Sequence, residues 1–189
     1  MGFEGFPFIV GWELTLACNL SCRHCASAAG RPRPRELTLD EALGICDQLP
    51  ALAVQEVDFT GGEPLMREDW WRIAERLREL EITTRMVTNG LLLTPATVER
   101  MKAVGLATVA VSIDGVAEVH DRIRSSAGLF RRVLAGMARV ADAGIRLSAI
   151  TAVNAVNLPT LPALLHLLES TGVDTWQIQP LLPQGRSLS

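Results

Sequence analysis

Apolar positions along the chain recur by turns every second residue and every third or fourth, so strands and amphipathic helices alternate from end to end. Strands are predicted at Phe8–Leu16, Glu56–Thr60, Thr83–Thr88, Thr108–Ile113, Arg146–Val153 and Thr175–Gln179. Between them the helical period returns. Thr38 and Glu41 form a capping box for a helix running to Leu49, and Trp70, Ile73 and Leu77 make the apolar stripe of a helix over Glu68–Leu80. Thr94 and Pro95 read as N-cap and first residue of a third helix; two more are predicted over Phe130–Ala143 and Pro159–Ser170. Gly105, Gly144 and Gly172 each stand just past a helical pattern and just before an apolar run, where a left-handed C′ residue is favoured. Their uneven spacing excludes a short-period solenoid.

Strict alternation of strand and helix means parallel βα units. Residues two apart on a strand share a face, which groups Glu13 with Thr15, Asp58 with Thr60, Ser112 with Asp114, and Gln177 with Gln179. In the third strand the same reading puts Thr84, Met86 and Thr88 on that polar face. Val57 and Phe59, Val109 and Val111, and Trp176 and Ile178 fall on the other. A parallel sheet with one polar face predicts a curved sheet around a polar cavity, with ligands at the C-terminal strand ends.

Composition narrows the function classes. The 189 residues carry 18 basic and 21 acidic side chains, a net charge of −3, with 48% apolar residues. That balance supplies no basic footprint for nucleic acid and excludes low-complexity disorder. No apolar run is long enough to span a membrane. The N-terminus lacks a basic region and carries Glu4, unlike a secretory signal, and Phe6 stands where an acylation signal wants Ser or Thr. A cytoplasmic chain with reduced thiols is the resulting expectation.

The chemistry concentrates in CNLSCRHC, directly after the first strand, which places Cys18, Cys22 and Cys25 within one loop. A structural zinc would want four ligands. His24 adjoins Cys25, and adjacent side chains rarely converge on one ion. Cys46 shares a helical stripe with Leu39 and Leu43 and reads as core. Three thiolates without a fourth partner suit an iron–sulfur cube with one iron left open.

On these residues the chain resembles the radical S-adenosylmethionine (radical SAM) superfamily. GGEP follows the second strand at Gly61, Gly62, Glu63 and Pro64; TNG ends the third at Thr88, Asn89 and Gly90; VSIDG ends the fourth at Val111 to Gly115. HDRIR at His120 to Arg124 and PQGR at Pro183 to Arg186 resemble the catalytic domain of members with a C-terminal SPASM extension. The resemblance implies a six-strand partial (β/α) barrel, TIM-like and open. It implies a 4Fe–4S cluster on Cys18, Cys22 and Cys25, whose open iron chelates S-adenosylmethionine (SAM). Reductive cleavage would then give a 5′-deoxyadenosyl radical that takes hydrogen from a substrate. An external electron donor of reductase or flavodoxin type is implied as well.

Residue roles follow from the same resemblance. Gly61 and Gly62 would let backbone approach the cofactor, and their carbonyls with the Glu63 carboxylate would receive the methionyl ammonium. Ser112 and Asp114 stand either for ribose contacts or for a turn cap, and Asn89 is similarly open. His24 suits stacking against the adenine. Arg124 pairs either with the cofactor carboxylate or an anionic substrate, or is an exposed helix-end residue. Gln177 and Gln179 line the adenine end or the substrate cavity. His120 reads as a local helix-start residue and His166, amid leucines, as structural. Arg31, Arg33 and Arg35, interleaved with prolines, form a stiff basic loop.

The expected function is modification of a peptide or small metabolite. The alternatives are a glycyl-radical activating enzyme and a non-catalytic cluster-binding scaffold. SPASM members continue into a cysteine-rich extension, whereas no cysteine follows Cys46 here. Residues 1–189 therefore read as a core domain without auxiliary clusters. The outer face of the sixth strand, Trp176 and Ile178, is expected to await a C-terminal continuation or a partner.

Overall fold

In the computed structural model, which describes residues 8–188, six strands form one sheet in the order β1 to β6 with every neighbouring pair parallel. They are β1 (Ile9–Thr15), β2 (Glu56–Gly61), β3 (Thr83–Thr88), β4 (Thr108–Ser112), β5 (Arg146–Val153) and β6 (Thr175–Pro180). Parallel pairing of consecutive strands requires each connection to cross back over the sheet, and helices make those crossings. These are α1 (Leu39–Cys46), α2 (Trp70–Glu79), α3 (Pro95–Ala103), α4 (Glu118–Ile123), α5 (Leu129–Asp142) and α6 (Leu161–Glu169). β1 and β6 are the two edges, so the sheet is the open partial barrel expected. Glu4 and Phe6, on which the export and acylation readings rest, lie outside the described residues.

Local signals account for most boundaries. The Thr38 hydroxyl accepts from the Glu41 amide at 3.3 Å, and the Glu41 carboxylate accepts from the Thr38 amide at 2.8 Å. α1 ends at Cys46, short of the predicted Leu49, because Pro50 has no N–H for the Cys46 carbonyl, and Leu49–Leu52 tighten into a 3-10 turn. α4 carried no periodic signal; six residues are too few for one. Gly105, Gly144 and Gly172 do take left-handed conformations, with φ of 76°, 75° and 72°.

The core lies between the outer sheet face and the helices. One row of register partners runs Trp12, Phe59, Met86, Val109 and Leu147 across five strands. Ile73, Leu77, Met101, Val133 and Met137 belong to the same buried cluster. This row corrects the reading of β3. Thr84, Met86 and Thr88 turn toward the helices, while Arg85 and Val87 face inward. A shift of one residue exchanges the two faces, and a strand of mixed Thr, Arg and Met offers too little contrast to set them. Arg85 bonds Glu56 at 2.8 Å and lies 3.4 Å from Asp58, lining the interior with ion pairs.

The other strands keep the predicted faces. Ser112, Ile150 and Gln177 form an inner row, and Trp176 and Ile178 point outward. Trp176 donates to the Thr151 hydroxyl at 2.9 Å and is half-buried, whereas Ile178 is 51% exposed. The outer face of β6 is thus partly covered at Trp176 and open at Ile178. Removing the α1 cap by Thr38→Ala should lower stability by about 1 kcal/mol, read from the midpoint of chemical denaturation.

Candidate active site

The cysteine loop leaves the end of β1 and returns beside it. Ala17 and Gly30 form a parallel bridge, with the Cys18 amide donating to the Gly30 carbonyl at 3.1 Å and Gly30 to Leu16 at 2.9 Å. Glu36 ties the exit of the loop to its entrance. One of its carboxylate oxygens accepts from the Thr15 hydroxyl and from the amides of Leu16 and Arg33, at 3.0, 2.8 and 3.0 Å. Glu13, inside the sheet, holds Ser27 and Arg33.

Cys18, Cys22 and Cys25 line one cleft of about 160 Å³ together with Gly61, Gly62, Thr88, Asn89, Ser112 and Arg124. Cys22 is buried and the other two are half-buried. Burial pushes the Cys18 and Cys22 thiols up, and the charge of Arg124 opposes this at Cys22. Cys46 lies fully buried on α1, where burial pushes its thiol to about 11 and removes it from chemistry.

The two glycines of GGEP permit a close approach, and the nearest atoms belong to the chain itself. A Cβ on Gly61, whose φ is +127°, would stand 2.3 Å from the Thr15 carbonyl oxygen, and one on Gly62 would stand 2.3 Å from that of Ala17. The Gly62 and Glu63 amides instead donate to these carbonyls, each at 2.8 Å. The loop after β2 is therefore sewn to the root of the cysteine loop.

Glu63 is fully buried and points away from the cleft lining. It accepts from the Thr88 hydroxyl at 2.8 Å, the Leu65 amide at 3.2 Å and the Asn89 amide at 2.8 Å. Burial raises its carboxyl above the ordinary value, against the pull of those bonds. Pro64, also buried, opens the 3-10 turn that follows. The Asn89 side chain donates to Asn19 at 2.7 Å, lies 3.9 Å from the Cys18 sulfur and accepts from the Leu91 amide at 2.9 Å. The end of β3 thereby reaches the cysteine loop.

A second buried carboxylate organises the other side. Asp114, fully buried, accepts from Arg124 Nε at 2.8 Å and from the Ala152 amide at 2.9 Å, and His24 Nε2 lies 3.3 Å away. Burial alone would raise its carboxyl; Arg124 and His24 hold it below the ordinary value. Arg124 is buried, so the exposed helix-end reading is corrected: Asp114 draws it under the surface. His120 is buried inside α4, accepts from the Asp114 amide at 3.1 Å and packs against Phe130. Ser112 and His24 line both this cleft and its neighbour of about 390 Å³, which also takes in Gln179, Pro180 and Leu182.

His166 lies on the exposed face of α6, 3.4 Å from Glu169, outside the core its leucine neighbours suggested. Glu36, Asn157 and the tertiary contacts of Arg186 went unread in the sequence. Asn157 is fully buried and joins the carbonyls of Asp114 and Ala152, each at 2.9 Å. No local pattern marks such a bond.

Residues 12–168 match the model of the Radical SAM superfamily. The chain belongs to that superfamily. It is 36% identical over 181 residues to the AdoMet-dependent heme synthase of Nitratidesulfovibrio vulgaris, covering 95% of this chain and 49% of that protein. To the mycofactocin maturase MftC of Mycolicibacterium smegmatis it is 34% identical over 181 residues, 95% of this chain and 46% of that one. The chain thus spans about half the length of these curated relatives. Streptococcus suis SuiB, solved with its precursor peptide SuiA, superposes with a TM-score of 0.84 at 18% identity, over 94% of this chain and 40% of that one. That likeness shows the shared fold.

Radical SAM proteins use a 4Fe–4S cluster and SAM. The donor set here fits a cube. Three thiols line one cleft, and His24, the nearest non-thiol candidate, is directed at Asp114. Thiolates are the usual ligands of such a cluster, and three of them, all from one loop, face the same cleft.

Glu63→Gln keeps the shape but turns one acceptor into a donor facing donors. The expected cost is about 1–3 kcal/mol of stability, read by denaturation of the apo chain. His120 carries a pH signature. Burial, then the charge of Arg124, lowers its ring from 6.5 to about 4. Between those values the unfolded chain binds the proton first, so stability falls as pH drops through this window and levels off below it. The full effect is up to about 3 kcal/mol, and His120→Asn should flatten the slope in a pH series of unfolding curves.

Proposed function

We propose that this chain forms the catalytic core of a radical SAM enzyme that modifies a peptide or small-metabolite substrate. The observation that carries the reading is the meeting of three cysteine thiols, the GGEP loop and Arg124 around one cleft at the C-terminal ends of the strands. When bound, the cluster and SAM supply an electron and a 5′-deoxyadenosyl radical for hydrogen abstraction. Everything else falls to the protein, which binds, orients and excludes water.

In this reading Cys18, Cys22 and Cys25 hold three irons. The Gly61–Gly62 backbone takes the methionyl ammonium, and the Arg124 guanidinium takes the carboxylate. Ser112 and Asn89 offer polar groups to the ribose, and His24 packs at the adenine end. Glu63 and Asp114, both buried and bonded inside the chain, serve as positioning residues for Asn89 and Arg124 respectively. Asp114 also steadies His24.

The substrate class rests on the relatives. They are named for heme synthesis and for maturation of mycofactocin, and SuiB was solved with a precursor peptide. The adjoining cleft with Gln179 and Leu182 is the place for such a substrate. Residues 17–35 carry four arginines and no carboxylate, and Arg23, Arg31 and Arg35 are exposed. A basic face beside the thiols suits an acidic one-electron donor of flavodoxin type.

Anaerobic reconstitution should give about four irons per chain. Cys22→Ala should abolish the cluster and Cys46→Ala should leave it intact. With reductant and SAM, the reconstituted chain should release 5′-deoxyadenosine. Equal iron loss in the two variants, or a loaded chain that leaves SAM uncleaved, would overturn the reading.

A further inference from the structure

After β6 the chain turns back onto the cysteine loop, and the PQGR segment makes the contact. Gly185 takes φ of +55°, and a Cβ there would stand 2.3 Å from the Ala26 carbonyl oxygen and 2.4 Å from that of Cys25. Only a residue without a side chain brings backbone so near to backbone. Arg186 then donates three times into the loop: its amide to the Cys25 carbonyl at 3.0 Å, Nε to Cys22 at 2.8 Å and Nη1 to Ala29 at 2.7 Å.

The bonds the loop makes within this arc are long, Cys25 amide to Cys22 carbonyl at 3.4 Å and Ala28 amide to Cys25 carbonyl at 3.2 Å. Its base is pinned by the Ala17–Gly30 bridge and by Glu36, and within the arc the Arg23 amide donates to the Ile123 carbonyl at 3.2 Å and the Ser27 hydroxyl to Glu13 at 3.1 Å. One guanidinium and one amide from the far end of the chain bond the carbonyls of two of the three cysteines and of the residue preceding Gly30.

We propose that Gly185 and Arg186 are positioning residues for the cluster, acting through the Cys22–Ala29 arc. The Arg186 charge, which also lines the thiol cleft, further raises the cluster's reduction potential. This rests on the reading of Cys18, Cys22 and Cys25 as cluster ligands. A cation beside the cluster favours the more negative, reduced form, and charge and hydrogen bonding are recognised determinants of such potentials. The forked geometry separates the two effects: lysine keeps the charge but not the planar donors.

The test compares the reconstituted full chain with Arg186→Met, Arg186→Lys and Gly185→Ala. Rates of iron loss to a ferrous chelator and midpoint potentials are measured anaerobically. Arg186→Met and Gly185→Ala should release iron about tenfold faster, as loss of anchoring hydrogen bonds predicts. Arg186→Lys should fall between them and the parent. The potential should drop in Arg186→Met and stay near the parent value in Arg186→Lys. Circular dichroism of the apo chains identifies any variant that fails to fold, and the remaining variants then decide. A fully loaded parent whose folded variants keep its iron-release rate and potential would overturn the proposal alone. A parent that takes up no iron overturns the cluster reading and this one with it.

Discussion

Two carboxylates held out of water govern the polar end of this sheet. A buried charge without partners costs several kcal/mol, so Glu63 and Asp114 must each be ringed with donors. Those donors come from neighbouring strand ends. Glu63, just past β2, draws on Thr88 and Asn89 at the end of β3. Asp114, just past β4, draws on Ala152 in β5 and on Arg124 after α4. The need to satisfy two buried carboxyl groups therefore fixes the relative positions of four strand ends. It also places Asn89 and Arg124 in the wall of the thiol cleft.

Close backbone contact does the same for the cysteine loop. Gly61 and Gly62 let the segment after β2 rest on the carbonyls that end β1, and Gly185 lets the tail rest on the other side of the loop. Between these supports lie the three thiols. The loop has little regular structure, so its shape is set by what presses on it from outside. The close contacts at Gly61, Gly62 and Gly185 therefore help to set where the cysteines stand.

Electrostatics runs against the average. The chain is acidic overall, yet the segment bearing the cysteines is basic, with Arg124 and Arg186 beside the thiols. Cations near thiols favour thiolates, as the opposing effect of Arg124 on burial at Cys22 illustrates. On the inner face of the sheet, Arg85 pairs with Glu56 at 2.8 Å and lies 3.4 Å from Asp58.

Elements and cysteine spacing were legible in the sequence because they depend on neighbours. The capping box at Thr38, the left-handed glycines after three helices, the alternation of strand and helix and the CNLSCRHC loop all act over a few residues. GGEP, TNG and VSIDG were recognisable for the same reason. Tertiary structure alone decided the inward face of β3, since alternation carries no sign until a partner strand supplies the register. It alone decided that Arg124 is buried, because the anion that holds it there stands at the end of another element. It decided that the GGEP glycines meet β1 and that Glu63 turns to β3. Arg186 and the Cys22 carbonyl are 164 residues apart. No local preference encodes such a bond; it exists only once six strands have closed the distance.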